Sequence, residues 1–571
     1  MHLKPIYTET NDCKDCYKCI RECPTKAIKV TDNRASVVDS LCIYCGHCVA
    51  ICPSNAKKVR DGISRAKQLL KEKEQVYVSL APSFTAEYGN QSKGLLNAIQ
   101  QLGFTAISET ALGAQEVSKQ VSNYLKIRQT GVYISSACPV VVELIRKYYP
   151  EHTMAITPYM SPMLTHGRML KHWYGDNIGV VFIGPCIGKK CEADDSDLID
   201  VSLTFKELND WLESENIQIN NNSSSDVNFQ PYQAKEGVIY PLDGGMVETI
   251  KQENNSGEST FMSFTGQNMV RNALNNIDQL GKDAPLFLEL LACETGCLNG
   301  PGMSCNSNIA SKHLNIQCNY TQRQSCSSNT ILEEPSYNIE RDFFNIETVE
   351  SKQFKADEIK SALQSIGKNN VSDELNCSGC GYDTCRDFAL ALLNGNAETA
   401  MCVSYMRMVA HHKATILLQK IPSGVVIIDD NYKVLEMNAN FARLLGTETE
   451  MCYEANPGMR GADLDKLGSF TKLFRTALLT GKEYYDLPVV ENDKSLQLSI
   501  FNIQKHKLVT GIIQSAQQPE FRKEIIEKRT REVINKNMET VQKIAFLLGE
   551  NASYTDSLLN SILDSQNQDN A

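Results

Sequence analysis

The stretches CKDCYKCIRECP at residues 13–24 and CIYCGHCVAICP at residues 42–53 decide the organisation of the amino-terminal part of this chain. Each has the spacing C-x2-C-x2-C-x3-C-P, in which three close thiolates wrap one iron–sulfur cubane while the fourth reaches a second cubane. Zinc knuckles are the alternative, but structural zinc sites use two pairs of ligands instead of three close thiolates and a proline-terminated fourth. The repeated run therefore predicts a module that holds two 4Fe-4S clusters.

The exchange of the fourth cysteine between the two runs assigns the ligands of both clusters. One cluster takes Cys13, Cys16, Cys19 and Cys52, and the other takes Cys42, Cys45, Cys48 and Cys23. The runs resemble those of bacterial two-cluster ferredoxins, so residues 1–62 are predicted to form a ferredoxin domain. This resemblance implies an electron carrier but no particular reaction, because many redox enzymes contain such a module.

Bulk properties limit the remaining possibilities. At 571 residues the chain is too long for a single core. A net charge of −11 without a basic patch argues against nucleic-acid binding. No apolar run is long enough to cross a bilayer and the first residues lack a signal-peptide pattern, so we expect a cytoplasmic protein. In that compartment, 21 clustered cysteines indicate metal binding instead of disulfides.

From about residue 65, apolar strand-like runs alternate with helical stretches. The runs are VYVSLAP (76–82), GVYISSACP (131–139), IGVVFIGPC (178–186) and LFLELLACETGC (286–297). This alternation predicts an α/β domain with largely parallel sheets. Cys138, Cys186, Cys293 and Cys297 lie where these runs end, which is where α/β proteins usually place their sites. Taken singly, each cysteine would be a small buried apolar residue, but their shared position favours a ligand set.

Three segments around these cysteines resemble the signatures of iron-only (FeFe) hydrogenases. They are SACPVVVEL (136–144), GPCIGKKCE (184–192) and LELLACETGCLNGPG (288–302), and APS (81–83) and SPM (161–163) resemble segments that line the active-site pocket. The resemblance predicts a hydrogenase large-subunit-like domain over residues 65–335. It implies a six-iron H-cluster: a cubane held by Cys138, Cys186, Cys293 and Cys297, with Cys297 bridging to a diiron unit that carries CO and CN ligands.

The same resemblance implies which other side chains position the diiron unit. The counterpart of Lys189 donates a hydrogen bond to one cyanide, and Ser83 with the backbone near Pro82 would hold the other. Some relatives keep the cubane and have lost the diiron unit. Lys189 favours its presence, because a buried ammonium needs an anionic partner.

The chain also departs from hydrogen-evolving members of that family. The residue before the first cluster cysteine is Ala137, where those members have a cysteine that passes protons to the diiron site. Methionines that flank the site in those members are replaced by Gly184 and Leu291. Without the relay, turnover should fall about 10²–10⁴-fold. The candidates for a remnant relay are Ser161, Glu109 and Glu116. For the two acids, the alternative is that they are ordinary solvated surface groups.

Downstream of a charged, helix-prone connector (336–370), the segment NCSGCGYDTCRDFALALLNGNAETAMC (376–402) contains a further cysteine cluster. Its ligand candidates are Cys377, Cys380, Cys385 and Cys402, with the spacing C-x2-C-x4-C-x16-C. The segment resembles a small 4Fe-4S domain of anaerobic redox proteins, predicted over residues 371–412. Zinc is the alternative, since C-x2-C alone suits either metal.

The last part of the chain contains no cluster motif. IPSGVVIIDDNYKVLEMNANFARLLG (421–446) predicts two strands and a helix, and a further helix and three strands follow, ending in KLVTGIIQSA (507–516). That order resembles a PAS domain over residues 415–516. PAS domains hold haem, flavin or nothing; with only His506 as an axial ligand and Cys452 outside a flavin motif, we expect no cofactor. Residues 519–571 predict a signalling helix that either forms a coiled coil or packs on this domain.

The whole layout resembles the sensory iron-only hydrogenases of anaerobes and predicts a multidomain protein of α/β and α+β class. The resemblance implies a hydrogen or redox sensor that oxidises hydrogen slowly and relays electrons through 4Fe-4S clusters to the PAS module. The implied partners are hydrogen, a ferredoxin-like electron carrier, a kinase or phosphatase, and a second copy of the chain. The alternatives are a catalytic ferredoxin-linked hydrogenase and an electron-transfer scaffold without the diiron unit. The remaining cysteines, interpreted as buried or incidental thiols, are Cys191, Cys305, Cys318, Cys326 and Cys452.

Overall fold

The computed structural model describes residues 4–220, 227–253, 258–275, 277–304, 307–325, 337–343, 348–349, 352–492 and 494–515, together with Arg531 and Ile534. The chain divides into two compact units, Met1–Met401 and Cys402–Ala571. Apart from two residues, the predicted helix at 519–571 lies outside this description, and the predicted domain boundaries stay predictions. None of the helices in the described ranges is both long and apolar enough to cross a membrane.

The elements of the first unit follow the predicted alternation. Its strands are β1 (Ile6–Thr8), β2 (Ile28–Thr31), β3 (Arg34–Val37), β4 (Lys57–Val59), β5 (Val76–Leu80), β6 (Ala106–Glu109), β7 (Val132–Ile134), β8 (Gly179–Gly184), β9 (Val201–Thr204), β10 (Thr260–Thr265) and β11 (Leu286–Leu291). Its helices are α1 (Lys18–Arg21), α2 (His47–Ala50), α3 (Ile63–Glu72), α4 (Phe84–Tyr88), α5 (Ser92–Gln101), α6 (Thr110–Lys126), α7 (Pro139–Tyr148), α8 (Pro162–Tyr174), α9 (Gly188–Asp194), α10 (Phe205–Ser214), α11 (Gly245–Gln252), α12 (Gln267–Leu274), α13 (Ile309–Ser325), α14 (Ala356–Ser365) and α15 (Cys385–Leu393). Short 3-10 turns occupy Thr10–Asp12, Gly89–Gln91, Pro150–Ala155, Glu236–Ile239, Ile277–Gln279, Gly296–Asn299, Val371–Asp373 and Thr399–Met401.

The two cysteine runs lie between two small antiparallel pairs, β1 with β4 and β2 with β3. The β2–β3 hairpin turns at Asp32 and Asn33, whose φ angles of 52° and 57° are those of a two-residue turn that matches the strand twist. Each run forms a loop followed by a single helical turn, α1 or α2. In both cases the residue that precedes the helix, Tyr17 or Gly46, has a left-handed backbone, so the two halves repeat one geometry.

Two parallel sheets form the centre of the first unit, with strand orders β6-β5-β8-β9 and β10-β11-β7. Every residue of β5, β8 and β11 is buried, as expected for parallel strands covered on both faces. The predicted strands at 76–82, 131–139, 178–186 and 286–297 and their parallel arrangement are therefore confirmed. The loops that follow β7, β8 and β11 carry the four core cysteines.

The second unit is a five-stranded antiparallel sheet with helices. Its strands are β12 (Gly424–Asp429), β13 (Val434–Met437), β14 (Tyr484–Glu491), β15 (Lys494–Gln504) and β16 (Leu508–Ser515), in the order β13-β12-β16-β15-β14. Its helices are α16 (Val403–Lys420), α17 (Ala439–Leu445), α18 (Thr447–Ala455) and α19 (Thr471–Thr480), with a 3-10 turn at Leu464–Lys466. The five predicted strands between 421 and 515 are confirmed, whereas the one further helix predicted before the last three strands is two helices, α18 and α19. Phe441, Phe470 and Phe474 fill the core of this unit.

Candidate iron–sulfur and hydrogenase-like site

The first predicted ligand set of the ferredoxin module surrounds Cys19. Burial and then the charges of Cys16, Cys13 and Cys52 raise the pKa of the Cys19 thiol to about 11, against an opposing effect of Lys57. These neighbours are the three cysteines that the spacing assigns to the same cluster. The fourth, Cys52, comes from the second run, so the structure reproduces the predicted exchange.

The second set surrounds Cys48. Its pKa is raised well above the ordinary value by burial, then by Cys45, and further by Cys42 and Cys23. Here Cys23 comes from the first run, again as the spacing predicts. The structure therefore brings the eight thiols together in the two predicted groups, and their service as cluster ligands is part of the proposal below.

The ammonium of Lys57 lies close to both sets, although nothing in the sequence singles it out. The side chain is buried and its Nζ donates to Thr8 Oγ1 at 2.6 Å and to the Ala35 carbonyl at 3.0 Å. Its charge acts to lower the pKa of both Cys19 and Cys48. A buried cation favours the more negative state of its neighbours, so Lys57 is placed to stabilise added electrons on either side.

The four core cysteines also meet in one place. Cys138 is the residue before α7, Cys186 follows β8, Cys293 follows β11, and Cys297 lies in the turn Gly296–Asn299. The pKa of Cys293 is raised well above its ordinary value by burial and then by Cys186, Cys297 and Cys138. The pKa of Cys186 is likewise raised to about 11, by burial first and then by Cys138. Loops from three strands thus bring four half-buried thiols to one site, the core pocket.

The ferredoxin module lies directly beside this pocket. Cys45 of the second ferredoxin set is close enough to contribute to the raised pKa of Cys293. Its neighbour Gly46 has a φ of +76°, and a Cβ there would lie 2.6 Å from both Ile187 Cδ1 and Pro301 Cγ. Only glycine tolerates this combination of left-handed backbone and close approach, so the contact between the two sites is built into the loop.

A buried polar network lines the same pocket. Lys189 Nζ donates to Ser161 Oγ at 2.9 Å and to Glu192 Oε2 at 2.8 Å, and it lies 3.4 Å from the carbonyl oxygen of Ala137. Ser161 in turn donates to the same Glu192 oxygen at 2.9 Å. The structure therefore joins two of the predicted site residues, Lys189 and Ser161, and adds Glu192, whose role was not predicted although it belongs to the quoted segment.

The expectation that Lys189 requires an anion from a diiron unit needs correction. Glu192 already supplies a buried carboxylate to the ammonium, and a second cation, Arg341, pairs with the other Glu192 oxygen at 3.0 Å. Because burial of Lys189 is compensated within the chain, it does not by itself demand a bound anionic group. The sequence could not show this balance, since Arg341 is 149 residues away from Glu192.

Pro82 and Ser83 lie on the adjacent loop after β5. Ser83 is buried and immediately precedes α4, and the Pro82 carbonyl accepts a hydrogen bond from Thr85 Oγ1 at 3.3 Å. This loop is held against the end of β8, because Ala81 N–H donates to the Ile183 carbonyl at 2.9 Å. The two predicted cofactor-binding residues thus stand on a strand-end loop next to the one that carries Cys186.

The candidate relay acids are not solvated surface groups. Glu109 is fully buried, pairs with Arg323 at 2.6 Å and accepts the Ala234 N–H at 2.8 Å. Glu116 is also buried, and burial raises its pKa. Their solvated interpretation is therefore wrong, and the ion pair gives Glu109 a structural explanation. At the site itself, the side chains of Ala137, Gly184 and Leu291 offer no titratable group.

Glu289 is a buried carboxyl in the third signature segment to which no role was assigned. Burial raises its pKa to about 8, although it accepts the N–H groups of Val247 at 3.0 Å and Met246 at 3.2 Å. These are residues of the first turn of α11, so Glu289 ties that helix to β11. Burial therefore makes this carboxyl easier to protonate than an ordinary glutamate.

The downstream cysteine segment is divided between the two units, with Cys377, Cys380 and Cys385 in the first and Cys402 in the second. In the first unit, Cys385 begins α15, and its N–H donates to the Asn376 side chain at 2.8 Å. Thr384 and Asp387 close a capping box that starts the helix at this ligand candidate. In the second unit, Cys402 precedes α16, and its thiol lies 3.3 Å from Ser404 Oγ.

The other cysteines and His506 have simple environments. Cys191 is half-buried and burial raises its pKa, whereas Cys318 and Cys452 are exposed. His506 Nδ1 donates to the Leu478 carbonyl at 2.9 Å. Cys305 and Cys326 lie outside the described residues.

The thiol sets fit iron–sulfur clusters chemically. Buried thiolates are unfavourable unless a cation compensates them, and soft sulfur ligands select iron–sulfur clusters, zinc or copper(I). Among the described residues, no three His, Cys, Asp or Glu side chains lie close enough together to hold a single metal ion.

Comparison with protein families matches three parts of the chain. Residues 74–301 match the family "Iron only hydrogenase large subunit, C-terminal domain", and residues 5–53 match "4Fe-4S dicluster domain". Residues 373–404 match a family of small Fe-S cluster segments. These matches coincide with the core pocket, the ferredoxin module and the downstream cysteine segment.

Two curated relatives resemble shorter parts of the chain. Iron hydrogenase 1 of Clostridium pasteurianum is 25% identical over 299 residues, which is 42% of this chain and 52% of the relative. The cytosolic Fe-S cluster assembly factor NAR1 homolog of Schizosaccharomyces japonicus is 25% identical over 186 residues, 28% of this chain and 35% of the relative. The chain thus spans about half or less of the length of these relatives.

Solved structures give weaker likenesses. A variant of the FeFe-hydrogenase HydA1 from Chlamydomonas reinhardtii is 16% identical with a TM-score of 0.40, covering 51% of this chain and all of that one. The PAS domain of an HTR-like protein from Haloarcula marismortui is 16% identical with a TM-score of 0.14, covering 19% of this chain and 94% of that one. The family matches and the four-thiol pocket make this a hydrogenase-like iron–sulfur protein with a ferredoxin-type 4Fe-4S domain and an additional iron–sulfur segment.

Proposed function

We propose that the protein responds to hydrogen or to redox state through a slow H-cluster in the core pocket, and passes this state to its second unit. In this proposal Cys138, Cys186, Cys293 and Cys297 would hold the cubane, and Cys297 would also help to hold the diiron unit. The ferredoxin sets hold two further clusters, and the downstream cysteines, with Cys402 as the fourth, hold another. When bound, the H-cluster would supply the two-electron chemistry of hydrogen.

The observation that carries the proposal lies at one wall of the pocket. The Lys189 ammonium donates there to Ser161, to Glu192 and, at 3.4 Å, to the carbonyl oxygen of Ala137, whose side chain is only a methyl group. An anionic ligand that displaced the long bond to Ala137 would be oriented by the ammonium, whereas a methyl group can neither give nor take a proton. The pocket is thus equipped to hold a ligand but lacks the nearest acid–base group for rapid turnover.

Each residue near this wall would contribute differently to holding the bound group. Lys189 would orient one anionic ligand while Glu192 keeps its ammonium charged and aimed. Ser83 and the Pro82 backbone would hold a second anionic ligand. Gly184 and Leu291 leave the surrounding surface without sulfur or a proton carrier.

The first test is infrared spectroscopy of the anaerobic protein supplied with a diiron precursor, with and without hydrogen. CO and CN bands that shift under hydrogen, together with slow hydrogen evolution, are the expected result. High specific hydrogen evolution would instead identify a catalytic hydrogenase and overturn the sensor proposal.

A matched pair of variants sharpens this test. Ala137→Cys restores a thiol at the relay position and should raise turnover by about 10²–10⁴-fold. Ala137→Ser adds a side chain of similar size that is a poor acid at neutral pH, so it should leave turnover near the starting value. Equal effects of the two substitutions would show that the missing proton relay does not limit the rate.

The second candidate is an electron-transfer scaffold without the diiron unit. It is favoured by the Glu192 carboxylate, which satisfies Lys189 without any bound anion. The similarity to a cytosolic Fe-S cluster assembly factor points the same way. Absence of every CO and CN band after supply of the precursor would select this candidate.

The second unit is proposed as a PAS-type output module that acts on a kinase or phosphatase partner. A ferredoxin-like carrier would exchange electrons with the amino-terminal module. Reduction changes the charge of the clusters, and a partner that prefers one charge state would shift the population of two conformations. The test is partner affinity measured for the oxidised and the reduced protein. Identical affinities in both states would contradict this part of the proposal.

A further inference from the structure

The downstream iron–sulfur segment is bound to the ferredoxin module along the β2–β3 hairpin. Val30 N–H donates to the Asn396 carbonyl at 3.1 Å. The Glu398 carboxylate accepts the N–H groups of Asp32 at 2.7 Å and of Asn33 at 3.3 Å. These hydrogen bonds join residues more than 360 positions apart in the chain, so the segment docks on the main chain of the hairpin through one carbonyl and one carboxylate.

A second contact joins the loop that holds Cys380 to the loop that holds Cys23. Lys26 Nζ donates to the Gly381 carbonyl at 2.9 Å and to the Arg21 carbonyl at 3.0 Å, so one ammonium links both loops. It also lies 3.8 Å from the Asp383 carboxylate. Gly381 has a φ of +94°, and a Cβ there would lie 2.9 Å from Ile20 Cγ2. Only glycine permits this approach at the docking point.

Docking brings thiols of two predicted clusters close together. Tyr382 is buried beside Phe388, with ring centroids 5.6 Å apart. Cys23 Sγ accepts the N–H of Ala27 at 3.3 Å, and the neighbouring Lys26 donates to the carbonyl of Gly381, the residue directly after Cys380. The loops that hold the two thiols are therefore in direct contact.

Cys23 belongs to the ferredoxin set that also approaches the core pocket. On the other side of that set, Gly46 follows Cys45 directly, and a Cβ at Gly46 would lie 2.6 Å from the side chain of Ile187, the residue after Cys186. This ferredoxin set therefore lies beside the downstream segment at Cys23 and beside the core loops at Cys45.

We propose that the set of Cys23, Cys42, Cys45 and Cys48 is a junction that exchanges single electrons with the core pocket on its Cys45 side and with the downstream iron–sulfur segment on its Cys23 side. In each exchange one cluster is oxidised by one electron and its neighbour reduced by one, without transfer of a proton or another reactant. The downstream segment thus exchanges electrons directly with this ferredoxin set. The inference uses the cluster ligands of the proposed function but depends neither on the diiron unit nor on hydrogen.

The test is electron paramagnetic resonance of the full-length protein, loaded with 4Fe-4S clusters but without the diiron precursor, and reduced chemically. Adjacent reduced clusters broaden and split each other's signals. The expected spectrum of the unaltered protein contains a spin–spin interaction between the downstream cluster and the junction. Absence of that interaction with all clusters present would overturn the inference.

Variants assign the interaction to the docking contact. Lys26→Glu removes the bond to Gly381 and places a carboxylate near Asp383, so it should abolish the interaction while iron content is retained. Lys29→Glu makes the same charge change at an exposed position of β2 and should leave the spectrum unchanged. Should Lys26→Glu lose iron, Glu398→Ala loosens the hairpin contact instead and should weaken the interaction. An unchanged interaction in an iron-replete docking variant would overturn the inference.

The two proposals fail in different ways. Missing CO and CN bands would exclude a hydrogen-responsive site and leave the junction intact. Missing spin–spin interaction would exclude the junction and leave the infrared bands of the core pocket unaffected.

Discussion

Replacing Glu192 by glutamine removes the negative charge between Lys189 and Arg341 while keeping the shape of the side chain. The Glu192 side chain is 6% exposed and the Lys189 side chain 11% exposed, so water cannot readily replace the lost carboxylate at the ammonium. Arg341, 28% exposed, can turn toward solvent. The cost therefore comes mainly from the buried ammonium of Lys189.

Breaking a buried ion pair by removing one partner costs about 3–5 kcal/mol of unfolding free energy, because the other charge is left uncompensated. We expect Glu192→Gln to destabilise the first unit by this amount. A matched control is Glu215→Gln, which makes the same chemical change in the pair with Lys67 at 2.6 Å. The side chains of that pair are 40% and 45% exposed, so solvent replaces the lost interaction and the change in stability should be small.

The assay is anaerobic thermal unfolding followed by circular dichroism, with clusters loaded but without the diiron unit. For a unit of this size the Glu192→Gln midpoint should fall by about 3–10 °C and the Glu215→Gln midpoint should barely change. Equal midpoints for the two variants would refute the view that Glu192 is the compensating anion of Lys189. Loading the diiron unit should then reduce the Glu192→Gln loss, since a second anion would face the ammonium.

Three further changes test other parts of the structure. Lys57→Met removes the cation near both ferredoxin sets and should lower both cluster potentials in a redox titration, with 59 mV for each tenfold change in a one-electron equilibrium; unchanged potentials would contradict the role of that charge. Arg323→Met leaves Glu109 buried without its cation and should cost about 3–5 kcal/mol in thermal unfolding, whereas a neutral effect would show that the Ala234 N–H suffices. Gly511→Ala would place a Cβ 2.1 Å from the Phe474 ring and should destabilise the second unit by about 1–3 kcal/mol at constant iron content; an unaltered melting curve would refute the close packing.

Much of the fold and of the thiol grouping could be predicted from local patterns. The cysteine spacing states how many ligands one loop can offer to one cluster, so the exchange of Cys23 and Cys52 followed from geometry that lies within each run. The buried strands were predicted from apolar runs that end at Pro, Cys or Gly. Ala137 and Lys189 were identified by their places in short segments.

Other features arise only from tertiary packing. The ion pair of Glu109 with Arg323 joins residues 214 positions apart, and the sequence around Glu109 contains no sign of it. The partner that neutralises Lys189 was visible in its own segment, but whether the carboxylate faced the ammonium or water depended on Ser161 and Arg341. Such balances cannot be predicted from spacing, because burial and charge compensation depend on every element that covers a side chain.

By itself, the sequence determined which residues are able to bind clusters and the order of strands and helices that carries them, because both depend on short-range spacing and periodicity. Only the tertiary structure decided which loops are neighbours: the loop of Cys45 meets the core loops at Gly46, and the loop of Cys23 meets that of Cys380 at Gly381. Cluster adjacency is set by which loop surfaces dock on one another, and docking depends on complementary shapes and hydrogen bonds from distant parts of the chain.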